Sequence, residues 1–107
     1  MSRRAPSFSP WTVNAIEVLG RQITAERRTH RWTQAELAKR AGITTKTLIA
    51  IEKGSTGTGI GTVFEVAALL GIPLVGATEP AARELIDARL ALLPSRVERS
   101  KDHDDDF

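Results

Sequence analysis

The sequence predicts an all-α domain of five helices at residues 9–94, with a flexible basic arm at residues 1–8 and a disordered acidic tail at residues 95–107. Apolar residues recur in separate stretches at the three- and four-residue spacing of a helix face. Serine, threonine and glycine, which favour helix ends, stand at the borders of these stretches. Apolar residues make up 41% of the chain and aromatic residues 5%, so aliphatic side chains must form the core.

The first predicted helix runs to about Arg28. Ser9 is a favourable N-cap, and Pro10 suits the first helical position. One face carries the apolar residues Ile16, Leu19 and Ile23. Gly20 lies inside this helix and predicts a close contact with another helix.

Two short helices joined at a glycine are predicted between Thr33 and Lys53. Thr33 is a good N-cap, and Glu36 three residues later completes a capping box. Gly42 ends the first of these helices because glycine readily adopts the left-handed conformation, and Thr44 caps the second. The residues expected to face inward are Ala35, Leu37, Ala38, Ala41, Leu48 and Ile51. This is the layout of a helix-turn-helix DNA-binding unit.

Two further helices are predicted, one from about Gly61 to Leu70 and one over about residues 79–93. In the fourth helix the expected core residues are Ile60, Val63, Val66, Ala67 and Leu70. Phe64 falls off this stripe and either covers the fifth helix or marks a partner surface. Thr78 caps the fifth helix, whose apolar residues are Leu85, Ile86, Leu90, Leu92 and Leu93. Part of this face should pack on the domain, and the rest is available for dimerisation.

Positive charge is concentrated in the first half of the chain. Residues 1–53 carry ten Lys/Arg and four Asp/Glu, whereas residues 54–107 carry five and nine. A basic half that contains the paired helices is typical of binding to a polyanion. A solvated surface is the alternative, but it does not explain why the charge collects around the motif. Arg3 and Arg4 either touch DNA or serve solubility.

Other segments leave alternatives open. The loop STGTGIG at residues 55–61 lacks the lysine of a phosphate-binding loop, so we interpret it as a connector whose amides can meet a DNA phosphate. Trp32 is expected to fold onto the core rather than to stack on bases. The acidic end DHDDDF is either a solubilising tail or a peptide that docks on a basic protein through Phe107.

Several classes of function are excluded by composition. The chain has no cysteine, and His30 and His103 are isolated, so we expect no disulfide and no metal site. No nucleotide motif or set of catalytic residues is present, which predicts no cofactor and no enzymatic activity. The sequence contains no apolar run of membrane-spanning length and no signal peptide, which predicts a cytoplasmic protein.

The stretch from Leu19 to Leu74 resembles the lambda-repressor-like, XRE-family helix-turn-helix domain. The matching segments are LGRQI, WTQAELAKRAGI, TLIAIEKG and VFEVAALLGI. The resemblance implies a five-helix bundle that binds palindromic operators in double-stranded DNA as a homodimer, with its third helix in the major groove.

The resemblance also assigns roles to individual residues. Those at base-contacting positions are Thr45, Lys46, Thr47 and Ala50. Gln34 and Thr44 match phosphate-contacting positions of the family. Beside them, we also expect Lys53, Ser55 and Thr56 to contact phosphates. Lysine can donate to guanine, whereas Ala50 offers only a methyl contact, and Ile49 is apolar where a polar residue is common. Arg27 and Glu52 match a buried ion pair that ties the first helix to the end of the third.

The C-terminal half is also similar to HipB-type antitoxins, which accompany HipA-type serine/threonine kinase toxins. The matching segments are GTVFEVAALLGIPL, LALLP and the terminal DDDF. This similarity implies a repressor that also holds a kinase inactive and represses its own operon. A stand-alone dimeric repressor without a toxin partner is the alternative. The candidate partner contacts are Phe64, Leu85, Leu92 and Phe107.

Overall fold

The computed structural model describes residues 7–76 and 78–96, and within them the chain forms five α-helices and no strand. The helices are α1 (Pro10–Thr29), α2 (Gln34–Ala41), α3 (Thr45–Glu52), α4 (Ile60–Leu70) and α5 (Glu79–Ala91). The predicted all-α fold is therefore confirmed. The last helix ends at Ala91 rather than at residue 93. Most of the predicted arm, including Arg3 and Arg4, and most of the predicted tail lie outside the described residues.

The described residues divide into two units, one ending at Leu74 and one beginning at Val75. In the first unit α2 and α3 pack on each other, α1 packs on α3, and α4 packs on α1 and α2. The buried core residues are Ile23, Leu37, Ala38, Leu48, Ile51, Val66, Ala67, Leu70 and Ile72. The core is therefore aliphatic, as the low aromatic content predicts.

The helix ends of the first unit have the predicted chemistry. The Ser9 hydroxyl accepts a hydrogen bond from the Thr12 amide at 3.4 Å, ahead of Pro10. The Thr33 hydroxyl accepts from the Glu36 amide, and the Glu36 carboxylate accepts from the Thr33 amide, both at 3.0 Å. Gly42 follows α2 with a φ of 70°. These contacts satisfy amides that a helix end leaves unpaired, and they set the start of α1 and both ends of α2.

Two residues expected in the core are exposed instead. Ala35 is exposed because it lies two positions, or about 200° of helix rotation, from the buried Leu37. Ile60 is 74% exposed and lies about 120° around α4 from the buried Val66. Both predictions were wrong because the buried stripe of each helix is narrower than its run of apolar residues.

The second unit contains α5. None of its residues is buried, and Leu85, Ile86, Leu90, Leu92 and Leu93 are each more than half exposed. Thr78 occupies the N-cap position without forming a side-chain capping bond. Arg83 and Glu79 form an exposed ion pair at 3.1 Å. No described helix combines the length and apolar character that crossing a membrane requires.

Candidate nucleic-acid interface

The carboxylate of Glu52, at the end of α3, joins three parts of the first unit. Arg27 of α1 donates from Nε to Glu52 Oε2 at 2.7 Å and from Nη2 to Oε1 at 3.1 Å. Gln34, the first residue of α2, donates from Nε2 to the same Oε1 at 3.0 Å. Arg27 Nη1 also donates to the carbonyl oxygen of Trp32 at 2.9 Å. The end of α3 is therefore held against α1, the α1–α2 turn and the start of α2.

Electrostatics at Glu52 favour the ionised carboxylate. Burial opposes its charge, but hydrogen bonds from Arg27 and Gln34 and the positive charge of Arg27 outweigh burial and lower the pKa of Glu52. The Arg27 and Glu52 side chains are only 10% and 6% exposed. Across the described residues, every buried side-chain nitrogen and oxygen has a hydrogen-bond partner. The network is thus complete, and removing either charge would leave the other buried and unpaired.

Two glycines bring α1 unusually close to the end of α3. A Cβ atom at Gly20 would stand 2.7 Å from the carbonyl oxygens of both Ile51 and Glu52. A Cβ atom at Gly54, which has a φ of 85°, would stand 2.8 Å from Glu17 Cγ. The predicted close helix contact at Gly20 is confirmed. The position of α3 therefore depends on the absence of side chains at these two residues.

Three of the predicted base-contacting residues lie in the opposite, N-terminal half of α3, and the fourth, Ala50, lies in its second half. Thr45 and Lys46 are exposed, whereas Thr47 and Ala50 are half-buried. The Thr44 hydroxyl accepts a hydrogen bond from the Thr47 amide at 3.1 Å, and the two hydroxyls lie 2.9 Å apart. The buried residues of this helix are Leu48 and Ile51. The helix thus buries one side and presents threonines and a lysine on the other.

The predicted phosphate-contacting residues lie on either side of this helix. Lys53, Ser55 and Thr56 are exposed. The Ser55 amide donates to the carbonyl oxygen of Ala50 at 2.9 Å, and its hydroxyl accepts from the Gly57 amide at 3.2 Å. Gln34 is half-buried, and its amide group is already bound to Glu52. The loop after α3 is therefore held to the helix. Because the Gln34 amide group already donates to Glu52, it would contact a phosphate only by forming a second hydrogen bond.

Trp32 packs against the core, as predicted, and it also anchors two charged or polar groups on the surface. The guanidinium carbon of Arg40 lies 4.4 Å from the centre of the Trp32 ring, and the His30 ring lies 4.6 Å from it. This stacking was not predicted because the two partners come from α2 and from the end of α1. Trp32 is half-buried, and Arg40 already lies over its ring.

The candidate partner contacts lie elsewhere. Phe64 of α4 is 43% exposed. In the second unit, a shallow groove of about 680 Å³ follows α5 and includes Val75, Ala82, Leu85 and Ile86 in its lining. Phe107 lies outside the described residues. Among residues 7–76 and 78–96, no cluster of three or more histidine, cysteine or acidic side chains could hold a metal ion.

Comparison with known proteins gives one family match and two relatives. Residues 23–76, half of the chain, match the family model described as "Helix-turn-helix". An uncharacterized HTH-type transcriptional regulator of Sinorhizobium fredii is 32% identical over 78 residues, covering 70% of this chain and 40% of that protein. Another, of Methanocaldococcus jannaschii, is 38% identical over 48 residues, covering 45% of this chain and 73% of that protein. The chain thus spans less than half of the length of the first relative.

Proposed function

The chain belongs to the helix-turn-helix family of transcriptional regulators, and we propose that it is a dimeric repressor that binds operator DNA in a sequence-specific manner. The attachment of α3 carries this proposal. The Glu52 network and the Gly20 contact hold one end of the helix rigidly, while its other half presents exposed Thr45 and Lys46. A rigid helix with exposed donors is what a reader of base edges in the major groove requires.

The proposed contacts fall into two groups. Thr45, Lys46 and Thr47 read base edges, and Ala50 touches at most a thymine methyl group. The residues proposed to bind phosphates are Gln34, Thr44, Lys53, Ser55 and Thr56. Phosphate contacts position the helix without reading sequence, so specificity rests on few side chains.

The proposed dimer uses the exposed apolar face of α5. Leu85, Ile86 and Leu90 are each more than half exposed, and pairing with a second copy would cover them. Two α3 helices then enter successive major grooves about 34 Å apart, which predicts a palindromic operator.

The lysine of α3 provides the test of this function. Binding sites would first be selected from a random DNA library, and affinity for the selected site and for mixed-sequence DNA would then be measured by fluorescence anisotropy. We expect Lys46→Ala to lose about 1–3 kcal/mol of discrimination at one base position. Lys39→Ala, which removes an exposed lysine from α2, is the matched control and should retain the discrimination. An unchanged affinity ratio in Lys46→Ala would refute the assignment.

A second candidate function is inhibition of a HipA-type kinase toxin. It is supported by exposed apolar side chains that neither the proposed DNA contacts nor the proposed dimer uses, at Phe64 and Leu92. The test is to purify the full-length protein and a version cut after Pro94 from the native host and to identify co-purifying proteins by mass spectrometry. A kinase that is inactive in the complex and active once released supports this role. Recovery of DNA without a protein partner supports a stand-alone repressor.

A further inference from the structure

The turn between α1 and α2 contains an arginine in an unfavourable backbone conformation. Arg31 has a φ of 59°, and among the described residues it is the one non-glycine residue with a positive φ. Its amide donates to the carbonyl oxygen of Arg28 at 2.9 Å, which closes the turn. Glycine would adopt this conformation without the clash between Cβ and backbone that any other residue meets. The turn itself therefore does not require arginine.

The same turn is rigidly connected to α3. The Trp32 amide donates to the carbonyl oxygen of Arg27 at 3.2 Å, and the Trp32 carbonyl oxygen accepts from Arg27 Nη1 at 2.9 Å. Arg27 in turn binds Glu52 at the end of α3, and Gln34 binds the same carboxylate. The backbone on either side of Arg31 is thus fixed in the frame that positions the recognition helix. The backbone from which the Arg31 side chain projects therefore keeps its place relative to α3.

The side chain of Arg31 is exposed. In the part of the chain that the structure describes, its guanidinium forms no ion pair and no hydrogen bond, in contrast to the guanidinium groups of Arg27 and Arg83. Arg31 directly follows the C-cap of α1, where a left-handed residue is a common helix ending and glycine is the usual choice. An arginine that takes this place with an exposed, unpaired guanidinium is a candidate for a role that its side chain performs. Its position two residues before Thr33 and three before Gln34 brings it to the start of α2.

We propose that Arg31 binds a DNA backbone phosphate and that its left-handed turn holds the guanidinium in register with α3. This inference rests on the proposed DNA-binding function and adds a contact to it. An arginine suits this role because its side chain is long and always positively charged, so that it can reach and neutralise a phosphate. The contact is independent of sequence, so it strengthens binding to operator and mixed-sequence DNA alike.

Three substitutions separate the charge of Arg31 from its backbone strain. Arg31→Gln removes the charge and keeps the strain, Arg31→Lys keeps both, and Arg31→Gly removes both. Arg96→Gln, in the acidic half of the chain, controls for the loss of one positive charge. The probe is a labelled mixed-sequence DNA duplex, and affinity is measured by anisotropy from about 50 to about 200 mM salt. Thermal unfolding of each variant is recorded in parallel.

Affinity should follow the charge, and thermal stability should follow the backbone. We expect Arg31→Gln and Arg31→Gly to bind DNA about three- to tenfold more weakly, with the log–log salt slope reduced by about 0.9, while Arg31→Lys and Arg96→Gln stay close to the wild type. Only Arg31→Gly should raise the Tm, by roughly 2–5 °C.

Three other outcomes would overturn the proposed phosphate contact, and the last of them would also overturn DNA binding. If the wild type binds the duplex and Arg31→Gln binds it with the same affinity and slope, the phosphate contact does not exist, although DNA binding stands. If only Arg31→Gly weakens binding, the turn conformation acts and the charge does not. If the wild type fails to bind any duplex at the lowest salt concentration, both proposals are overturned.

Discussion

Substitution of Gly20 by alanine tests the closest contact in the structure. Gly20 lies in the interior of α1, where alanine normally stabilises a helix by about 1 kcal/mol relative to glycine. Helix propensity alone therefore predicts a more stable protein. The structure predicts the opposite sign because the new methyl group would stand 2.7 Å from the carbonyl oxygens of Ile51 and Glu52.

The size of the effect follows from this distance. Ordinary contacts of a Cβ atom begin at 3.4 Å, so the two helices must separate by about 0.7 Å at this point. The obstructing atoms belong to the backbone of α3, and no rotamer change can move them away. Overpacking of this kind costs about 1–3 kcal/mol, and the rigid obstruction places Gly20→Ala at the upper end of that range. After the gain in helix propensity, the net loss is about 1–2 kcal/mol, or roughly 5–15 °C in Tm.

The assay is urea and thermal unfolding of Gly20→Ala beside Gly61→Ala. Gly61 lies within α4, and a Cβ atom there would meet nothing within 4 Å. Gly61→Ala should therefore be neutral or stabilising by up to about 1 kcal/mol. Because the contact also positions α3, Gly20→Ala should bind DNA more weakly than Gly61→Ala. If Gly20→Ala proves as stable as the wild type or more stable, the close approach of α1 to the end of α3 is refuted.

Two further predictions concern the Glu52 network. Arg27→Met should destabilise the protein by about 3–5 kcal/mol at neutral pH, because Glu52 loses its cation and the Trp32 carbonyl oxygen loses its donor. The measurement is urea unfolding, and a loss of stability below about 1 kcal/mol would contradict the buried ion pair. Since the pKa of Glu52 is depressed below its ordinary value of 4.5, the stabilisation is complete above about pH 4.5 and is lost as the pH falls through the lower folded-state pKa. The stability advantage of the wild type over Glu52→Gln should therefore shrink as the pH falls below about 4.5, and a constant difference would show that Glu52 is not ionised in the folded protein.

Local chemistry explains why the helices could be predicted. A capping box such as Thr33–Glu36 joins groups three residues apart, so its formation depends on little beyond those residues. The left-handed conformation of Gly42 is likewise a property of the residue and its helix end. Periodicity was less reliable for burial. At Ala35 and Ile60 it predicted core positions that are exposed, because an apolar residue one helix face away satisfies the pattern without reaching the core.

The candidate site was accessible to sequence reasoning only in part. The pairing of Arg27 with Glu52 and the roles of the α3 residues came from the family resemblance, since nothing in the spacing of residues 25 positions apart implies a contact. The stacking of Arg40 on Trp32 and the strained turn at Arg31 had no signal in the sequence at all. The φ angle of a turn residue depends on the elements that the turn must join.

Residue order alone therefore determined where this chain forms helices, where they end and which half of it is basic, because caps, glycine stops and charge are properties of near neighbours. The tertiary structure decided how α3 is held. That depends on backbone atoms of α1 and α3 meeting at Gly20 and on one carboxylate, Glu52, receiving donors from two other segments. Such contacts join residues distant along the chain, and their free energy appears only once the helices have packed.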